Sequence, residues 1–262
     1  MDYKRQENKE ALKEFKNNII KSVDAYLDSE IENNQKKAAN IVYWLKDYTN
    51  YLKNEKRFKQ KFLPIYKYGT IIQVNFGFNV QHEYGGLHYA IVLDKSDNKH
   101  KSTLTVMPLS SIKEDADLEK LKNNNFMLGT EFYQLYLNKI NTLSKTIDER
   151  LKELHSDIDS LSEKIKLSEN GLEEKVFSQY YNEIKQRISE AEKSAKYLDD
   201  CKEMIDKMKL GSIAKLTSIT TISKMRIKNP QNSQGTLSGI VLSEDTMEKI
   251  TFEINKRYGK NK

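Results

Sequence analysis

The stretches GTIIQVNFGFNVQHEYGGLHYAIVLDK, residues 69–95, and LTVMPLSS, residues 104–111, decide how this chain is read. Ile71, Ile72, Val74 and Phe76, then Tyr89 to Leu93, then Leu104 to Leu109 form short β-branched and aromatic runs of the kind that build strands. A further short strand is expected over 125–128. Each run has polar residues at its end: Glu83 and His88 flank Gly85-Gly86, and Ser110 closes the third run. Ligand-contacting residues concentrate on loops held by rigid strands, so the chemistry is expected in this small β region.

Outward from the strands the hydrophobic period changes to that of helices. No Gly or Pro occurs from Asn8 to Phe62, and Leu12, Phe15, Ile19, Val23 and Tyr26, then Ile41, Leu45, Tyr48 and Leu52, recur at helical spacing. One long or two shorter helices are expected, interrupted near Glu32-Asn33-Asn34-Gln35, with Pro64 ending the region. From Phe132, Leu137, Ile140, Ile147, Leu151, Leu154, Ile158, Leu161 and Ile165 follow spacings of three and four until Ser168-Glu-Asn-Gly171. Phe177, Tyr181, Ile184, Ile188, Ala191, Ala195, Leu198 and Ile205 resume the pattern. This predicts an antiparallel helical hairpin with coiled-coil packing, its arms of about 34 residues extending about 50 Å. Gly211 ends the second arm, Ser212 to Ser223 returns to strand composition, and Ser243 caps a last helix reaching Tyr258.

The chain thus divides into an N-terminal helical region (1–63), a β domain in two pieces (66–130 and 211–262), and an inserted hairpin (131–210). An antiparallel hairpin returns its ends to one place and so disturbs its host little. The apolar stripe of the N-terminal helices is expected to pack with the hairpin as a three- or four-helix bundle. The expected class is α+β.

Composition limits the function. With 262 residues, 31% charged, 10 Gly and 3 Pro, the chain has the make-up of an ordered, helix-rich globular protein. It has no apolar run of membrane-spanning length, and MDYKRQENKEALKEF lacks a signal peptide's apolar core, so a cytoplasmic protein with no membrane partner is expected. The single Cys201 rules out an internal disulfide framework and a cysteine zinc site. A net charge of +6 permits a polyanionic partner without requiring one. No metal and no cofactor is expected, since neither the H-E-x-x-H spacing nor clustered cysteines occur.

Tyr68-Gly69-Thr-Ile-Ile-Gln-Val, Glu83-Tyr-Gly-Gly-Leu-His-Tyr-Ala-Ile-Val-Leu, Val106-Met-Pro-Leu-Ser-Ser, Ser218-Ile-Thr-Thr-Ile-Ser-Lys224 and a closing helix occur in that order. In this order they resemble the MazF/PemK toxins of toxin–antitoxin systems. The resemblance covers the interrupted β domain and neither the N-terminal helices nor the hairpin. It implies a small SH3-like β-barrel that cleaves single-stranded RNA without metal, leaving a 2′,3′-cyclic phosphate and a 5′-hydroxyl. It also implies a small antitoxin protein as partner and leaves a homodimer open, since the family is usually dimeric. Glu83, Gly85 and Gly86 match the family's E-x-G-G loop. His88 stands where the family has an arginine, Tyr89 replaces the proline after it, Ser110 takes the place of the catalytic threonine with Ser111 following, and Thr220 falls where another arginine is common.

The residues support such chemistry on their own terms. RNA self-cleavage needs a base for the 2′-hydroxyl proton, an acid for the departing 5′-oxygen and donors for the charged phosphorane. His88 suits a proton role, Ser110 with backbone N–H groups of the glycine loop suits the donor role, and Glu83 can orient the imidazole or assist as base. His82, Tyr84, His100, Lys101 and Ser111, with Gly85, Gly86 and Thr220, complete the candidate substrate-contacting set. Against this stand plain readings: His88 as an ordinary strand residue, Ser110 as a turn hydroxyl, His82 and His100 as solvated loop residues. The Arg-to-His change leaves three outcomes: histidine catalysis of the same cleavage, a changed substrate, or a barrel that only binds nucleic acid or protein, with the hairpin as its arm. Topoisomerase inhibition by a related fold is a further reading. The basic run Lys53, Lys56, Arg57, Lys59 and Lys61 is read as complementing a helix C-terminus, and Tyr43, Trp44, Tyr48 and Tyr51 as core.

Overall fold

The computed structural model describes residues 5–113, 116–167, 174–209 and 211–259. They form two compact units, Met1–Phe58 with Phe76–Gly86, and Lys59–Asn75 with Leu87–Lys262.

The first unit holds helices α1 (Gln6–Asn33) and α2 (Gln35–Asn54). The expected interruption falls at Asn34, whose φ of −153° and ψ of 66° leave the helical region. Its side chain accepts from the Lys37 N–H and so starts the second helix. Glu30 reaches across the break to Lys37 at 2.9 Å, and the Lys37 ammonium lies over the Tyr26 ring. Helix α2 stops well short of Phe62: the N–H groups of Arg57 and Phe58 both donate to the Asn54 carbonyl and close its last turn. Of the basic run only Lys53 therefore lies in the last turn of α2, and the dipole argument for that helix reaches that residue alone.

The aromatic set of α2 is not a core, since Tyr43 is 69% exposed and Tyr48 47%. Helix α1 has no buried residue at all, because each helix of a pair can cover only one stripe of the other. Trp44 packs against Tyr48 and Tyr51, with ring centroids 5.6 and 6.2 Å apart. It also covers Gly77, where a Cβ would stand 2.7 Å from the indole and φ is +85°, a combination only glycine accepts.

The second unit carries strands β1 (Ile71–Asn75), β2 (Leu87–Val92), β3 (Thr103–Ser111), β4 (Phe126–Gly129), β5 (Ser212–Ala214), β6 (Thr220–Ser223) and β7 (Ile227–Asn229). Their order is β4-β5-β3-β2-β1-β7, with β6 also on β3, and every pairing among the described residues is antiparallel. A short helix α3 (Leu118–Lys122) precedes β4, and the long helices α4 (Glu131–Leu167) and α5 (Glu174–Asp206) are the expected hairpin. The break expected at 168–171 lies outside the described residues. Helix α6 (Glu244–Tyr258) begins as expected with the Ser243 hydroxyl accepting from the Thr246 N–H. The class is α+β. Among the described residues no helix is long and apolar enough to cross a membrane.

Strand β3 organises the sheet. One edge pairs with β2 as far as Ala90↔Pro108. The other edge serves β6 over Thr103–Val106 and then β5 over Leu109–Ser111. Pro108 stands where that edge changes partner, and its carbonyl accepts from the Lys215 N–H at 2.9 Å, so the N–H it lacks is missing at the handover. Since β4 pairs with β5 and β5 with β3, both ends of the helical hairpin enter the sheet side by side, the second directly on β3.

Alternate strand residues Ile71, Ile91, Met107 and Leu109 form one core with Phe132, Tyr136 and Ile140 of α4, Leu198 and Cys201 of α5, and Met247 and Ile250 of α6. The other face is also buried, through Ile72, Val74, Ala90, Val92, Leu104 and Val106. Glu131 fastens α4 to α6 by accepting from the Ser243 N–H at 2.9 Å and from the Thr246 hydroxyl. Contacts Arg150–Ser194, Asp157–Arg187 and Lys164–Tyr180 run in opposite senses along the two arms, which makes the hairpin antiparallel. Its apolar seam is buried at Ile140, Ile147, Leu154 and Leu198, while farther out Ile158, Ile165, Phe177 and Tyr181 are exposed.

A buried ion pair fixes the loop after β2. Lys224 and Asp97 meet at 2.6 Å with side chains 1% and 0% exposed. The Lys224 ammonium also donates to the Asn98 carbonyl and lies over the Tyr66 ring, and the Asp97 carboxylate accepts from the Tyr66 N–H. Lys224→Met leaves this carboxylate buried without its cation, and unfolding in urea is expected to show a loss of about 3–5 kcal/mol. Ser243→Ala, which removes only the cap of α6, is expected to cost about 1 kcal/mol in the same measurement.

Candidate functional site

Beyond Ala90↔Pro108 the ladder between β2 and β3 stops, and the strand ends Leu87–Tyr89 and Leu109–Ser111 become the two lips of a cleft. His88 and Ser110 each lie two residues past the last pair, one on each lip, and both line the same hollow of about 380 Å³. The alcohol and the imidazole singled out from the sequence therefore share one cavity. Both are half-buried, as suits groups that must exchange protons or hydrogen bonds with a ligand.

The remaining walls come from elements that sequence reasoning did not connect to the site. Gln73 of β1 and Phe132 of α4 line the cleft, as do Lys113 just after β3 and Lys207, Met208 and Lys209 at the foot of the hairpin. The placement follows from the pairing of β5 with β3: Ser212 sits opposite Ser111, so the residues leading into β5 must pass the end of β3. Gly211 permits the approach, since its carbonyl accepts from the Ile112 N–H at 2.9 Å and a Cβ would come within 2.8 Å of the Ile112 side chain. No carboxylate stands among the described residues lining this cleft, whereas one histidine and three lysines do. The signal available in the sequence was Lys207-Met-Lys209 immediately before the return strand.

Tyr89 lines the cleft from beside His88 and packs edge-on against Phe132, with centroids 5.1 Å apart. Burial raises its pKa above the usual phenol value, so it stays a neutral donor at physiological pH.

Apart from Ser111, the other candidates are not among the residues that line this cleft. His82, Glu83, Tyr84, Gly85 and Gly86 belong to the unit with α1 and α2. There Glu83 closes its own turn: its N–H donates to the Val80 carbonyl, and its carboxylate accepts from the Val80 N–H at 3.3 Å. Tyr84 packs on Phe76, and burial raises its pKa. The Gly86 N–H donates to the Gly77 carbonyl at 2.6 Å, so the glycine pair shapes its own loop.

His100 and Lys101 sit in the connection between β2 and β3, at the far end of those strands from the cleft, as antiparallel pairing requires. The His100 N–H donates to Asn98, and Lys101 is ion-paired to Asp94 at 2.6 Å. Thr220 lies opposite Val106, toward that same far end. Ser111 alone of the substrate-contacting candidates joins His88 and Ser110 in the cleft. Among the described residues no three of His, Cys, Asp and Glu cluster as a metal site would need.

Comparison with known proteins bears on this geometry. Residues 67–168 match the family model described as PemK-like, MazF-like toxin of type II toxin-antitoxin system. No curated protein matches the chain. The matched span takes in β1 to β4, with both lips of the cleft, and the first arm of the hairpin. The part of the chain that carries His88 and Ser110 is thus similar to the PemK-like, MazF-like toxins.

Proposed function

We propose that this protein is a metal-independent endoribonuclease toxin that cuts single-stranded RNA in the cleft between the ends of β2 and β3. The carrying observation is that His88 and Ser110, from separate strands, line one hollow beside three lysines and, among the described residues, no carboxylate. The family supports the reading, since PemK-like toxins act in toxin–antitoxin systems and are usually endoribonucleases. It also supplies the small antitoxin as partner, the SH3-like closure of the sheet and a homodimer as parts of the proposal.

In this mechanism His88 takes the proton of the 2′-hydroxyl as that oxygen attacks phosphorus. The bond to the 5′-oxygen breaks, and the departing oxygen receives a proton from a lysine ammonium. The products are a 2′,3′-cyclic phosphate and a 5′-hydroxyl. The Ser110 hydroxyl donates to a non-bridging oxygen of the phosphorane, and Lys113, Lys207 and Lys209 offset its charge. The permanent cation that the family places at position 88 is thus supplied from the hairpin's foot, which leaves position 88 free for proton transfer.

Purified protein incubated with a mixed RNA pool in EDTA is expected to yield fragments with 5′-hydroxyl ends. His88→Ala should slow cleavage by about 10²–10⁴-fold and Ser110→Ala by about 10²–10³-fold. RNA that is bound but never cut would favour the other reading, a binding module with the hairpin as its arm. Cleavage undiminished in both variants would place the chemistry outside this cleft.

A further inference from the structure

A second hollow, of about 260 Å³, adjoins the cleft and shares three of its residues, Gln73, Tyr89 and Lys207. Its other lining residues are Asp200, Glu203 and Met204 of α5, and Thr236. Its volume lies below the roughly 300–1,000 Å³ of sites for drug-sized ligands, which suits one planar group better than a whole nucleotide. The chemistry of its walls is unlike that of the cleft. Among the described residues the cleft is lined by lysines and no carboxylate, whereas here two carboxylates share the lining with an aromatic residue and an amide.

We propose that this second hollow is a base-selective subsite that takes the guanine of a nucleotide next to the scissile phosphate. The inference rests on the RNA-cleaving reading of the adjoining cleft. Ionised carboxylates only accept hydrogen bonds, so a base held by Asp200 and Glu203 must present donors. Guanine offers two adjacent donors, N1–H and the N2 amino group, on its Watson–Crick edge, matching the paired oxygens of one carboxylate. Uracil flanks its single N3–H with two carbonyl oxygens, which a carboxylate repels. The Tyr89 ring, braced against Phe132, offers the face on which a base stacks. Among the described residues the Gln73 carboxamide has no hydrogen-bond partner, so it is free to meet the base carbonyl.

Lys207 joins the two hollows. Its ammonium is ion-paired to Glu203 at 2.5 Å, yet it lines both spaces. When guanine occupies Glu203, the lysine can turn to the phosphate in the cleft, so base recognition and phosphate binding are coupled through one ion pair. Both partners of that pair are exposed, which makes the exchange inexpensive.

The test maps the 5′-hydroxyl ends that the full chain generates from a random RNA pool, alongside the double variant Asp200→Asn/Glu203→Gln. Guanine is expected at one fixed position beside the cut, and the variant should lower its enrichment over uracil by about ten- to a hundredfold. Cleavage by the wild type with no guanine preference, or a preference the variant leaves intact, overturns the inference. Should the wild type cut nothing, the cleavage reading fails by itself, and binding of short 2′-deoxy oligonucleotides decides the subsite separately. A guanine-containing strand should then bind about tenfold more tightly than its uracil counterpart, and only in the wild type. Equal affinities would overturn the proposal. Both side chains are exposed, so the variant keeps its fold, which circular dichroism verifies.

Discussion

Everything the site can do depends on how one strand, β3, distributes its two edges. It is held by β6 over Thr103–Val106 and by β2 over Val106–Pro108, and its last three residues are held only by β5. A strand paired on both edges has no backbone to spare. A strand released on one edge opens a space that side chains from either lip can enter. The change of neighbour on the far edge falls at Pro108, the one residue of β3 that lacks an N–H. The strand is therefore continuous through the handover without leaving a donor stranded in the core.

The same pairing gives the helical hairpin a role beyond that of an appended rod. Strands β4 and β5 clamp its two ends, and α4 and α5 extend the core beneath the sheet through Phe132, Tyr136, Leu198 and Cys201. This root is the best packed part, and beyond Leu154 the arms show apolar residues to solvent. Energetically the root belongs to the sheet, because burial there depends on strand residues as much as on the partner arm. Chemically it belongs to the cleft, because Lys207 and Lys209 stand on the last residues before β5.

Much of this was legible in the sequence, and the portions that were not share a cause. Helix boundaries that rest on local chemistry, such as Asn34 between two helices and Ser243 before the last, could be read directly, since a cap is decided within four residues. His88 and Ser110 could be singled out because each stands at one end of a strand-like run, His88 before the second and Ser110 after the third. The cationic wall could not, because Lys207 and Lys209 become neighbours of Ser110 only through the register Ser111↔Ser212, a contact across about a hundred residues that no local pattern encodes. Loop proximity misled in the opposite direction. His100 and Lys101 are near His88 along the chain, but an antiparallel pair carries its connecting loop away from its free ends, so short separation in sequence became the length of a strand in space. The aromatic face of α2 failed for a different reason: periodicity shows that a face is apolar but not that anything covers it.

The histidine at position 88 acquires its meaning from that long-range contact. An arginine there would supply charge and two donors but no proton at neutral pH, and a lone histidine would supply a proton but no permanent charge. With lysines brought in by a separate segment, the two duties need not fall on one side chain. The division has a cost in robustness, since the cations depend on the hairpin's foot staying docked along β3. The docking rests on three strand pairs, the close passage of Gly211 against Ile112, and the buried root of two helices. The root is the part of the hairpin with the most burial and the arms beyond it the part with the least. Motion in the arms can therefore be large without reaching the cleft, while any rearrangement that lifts β5 from β3 removes charge and shape from the site together.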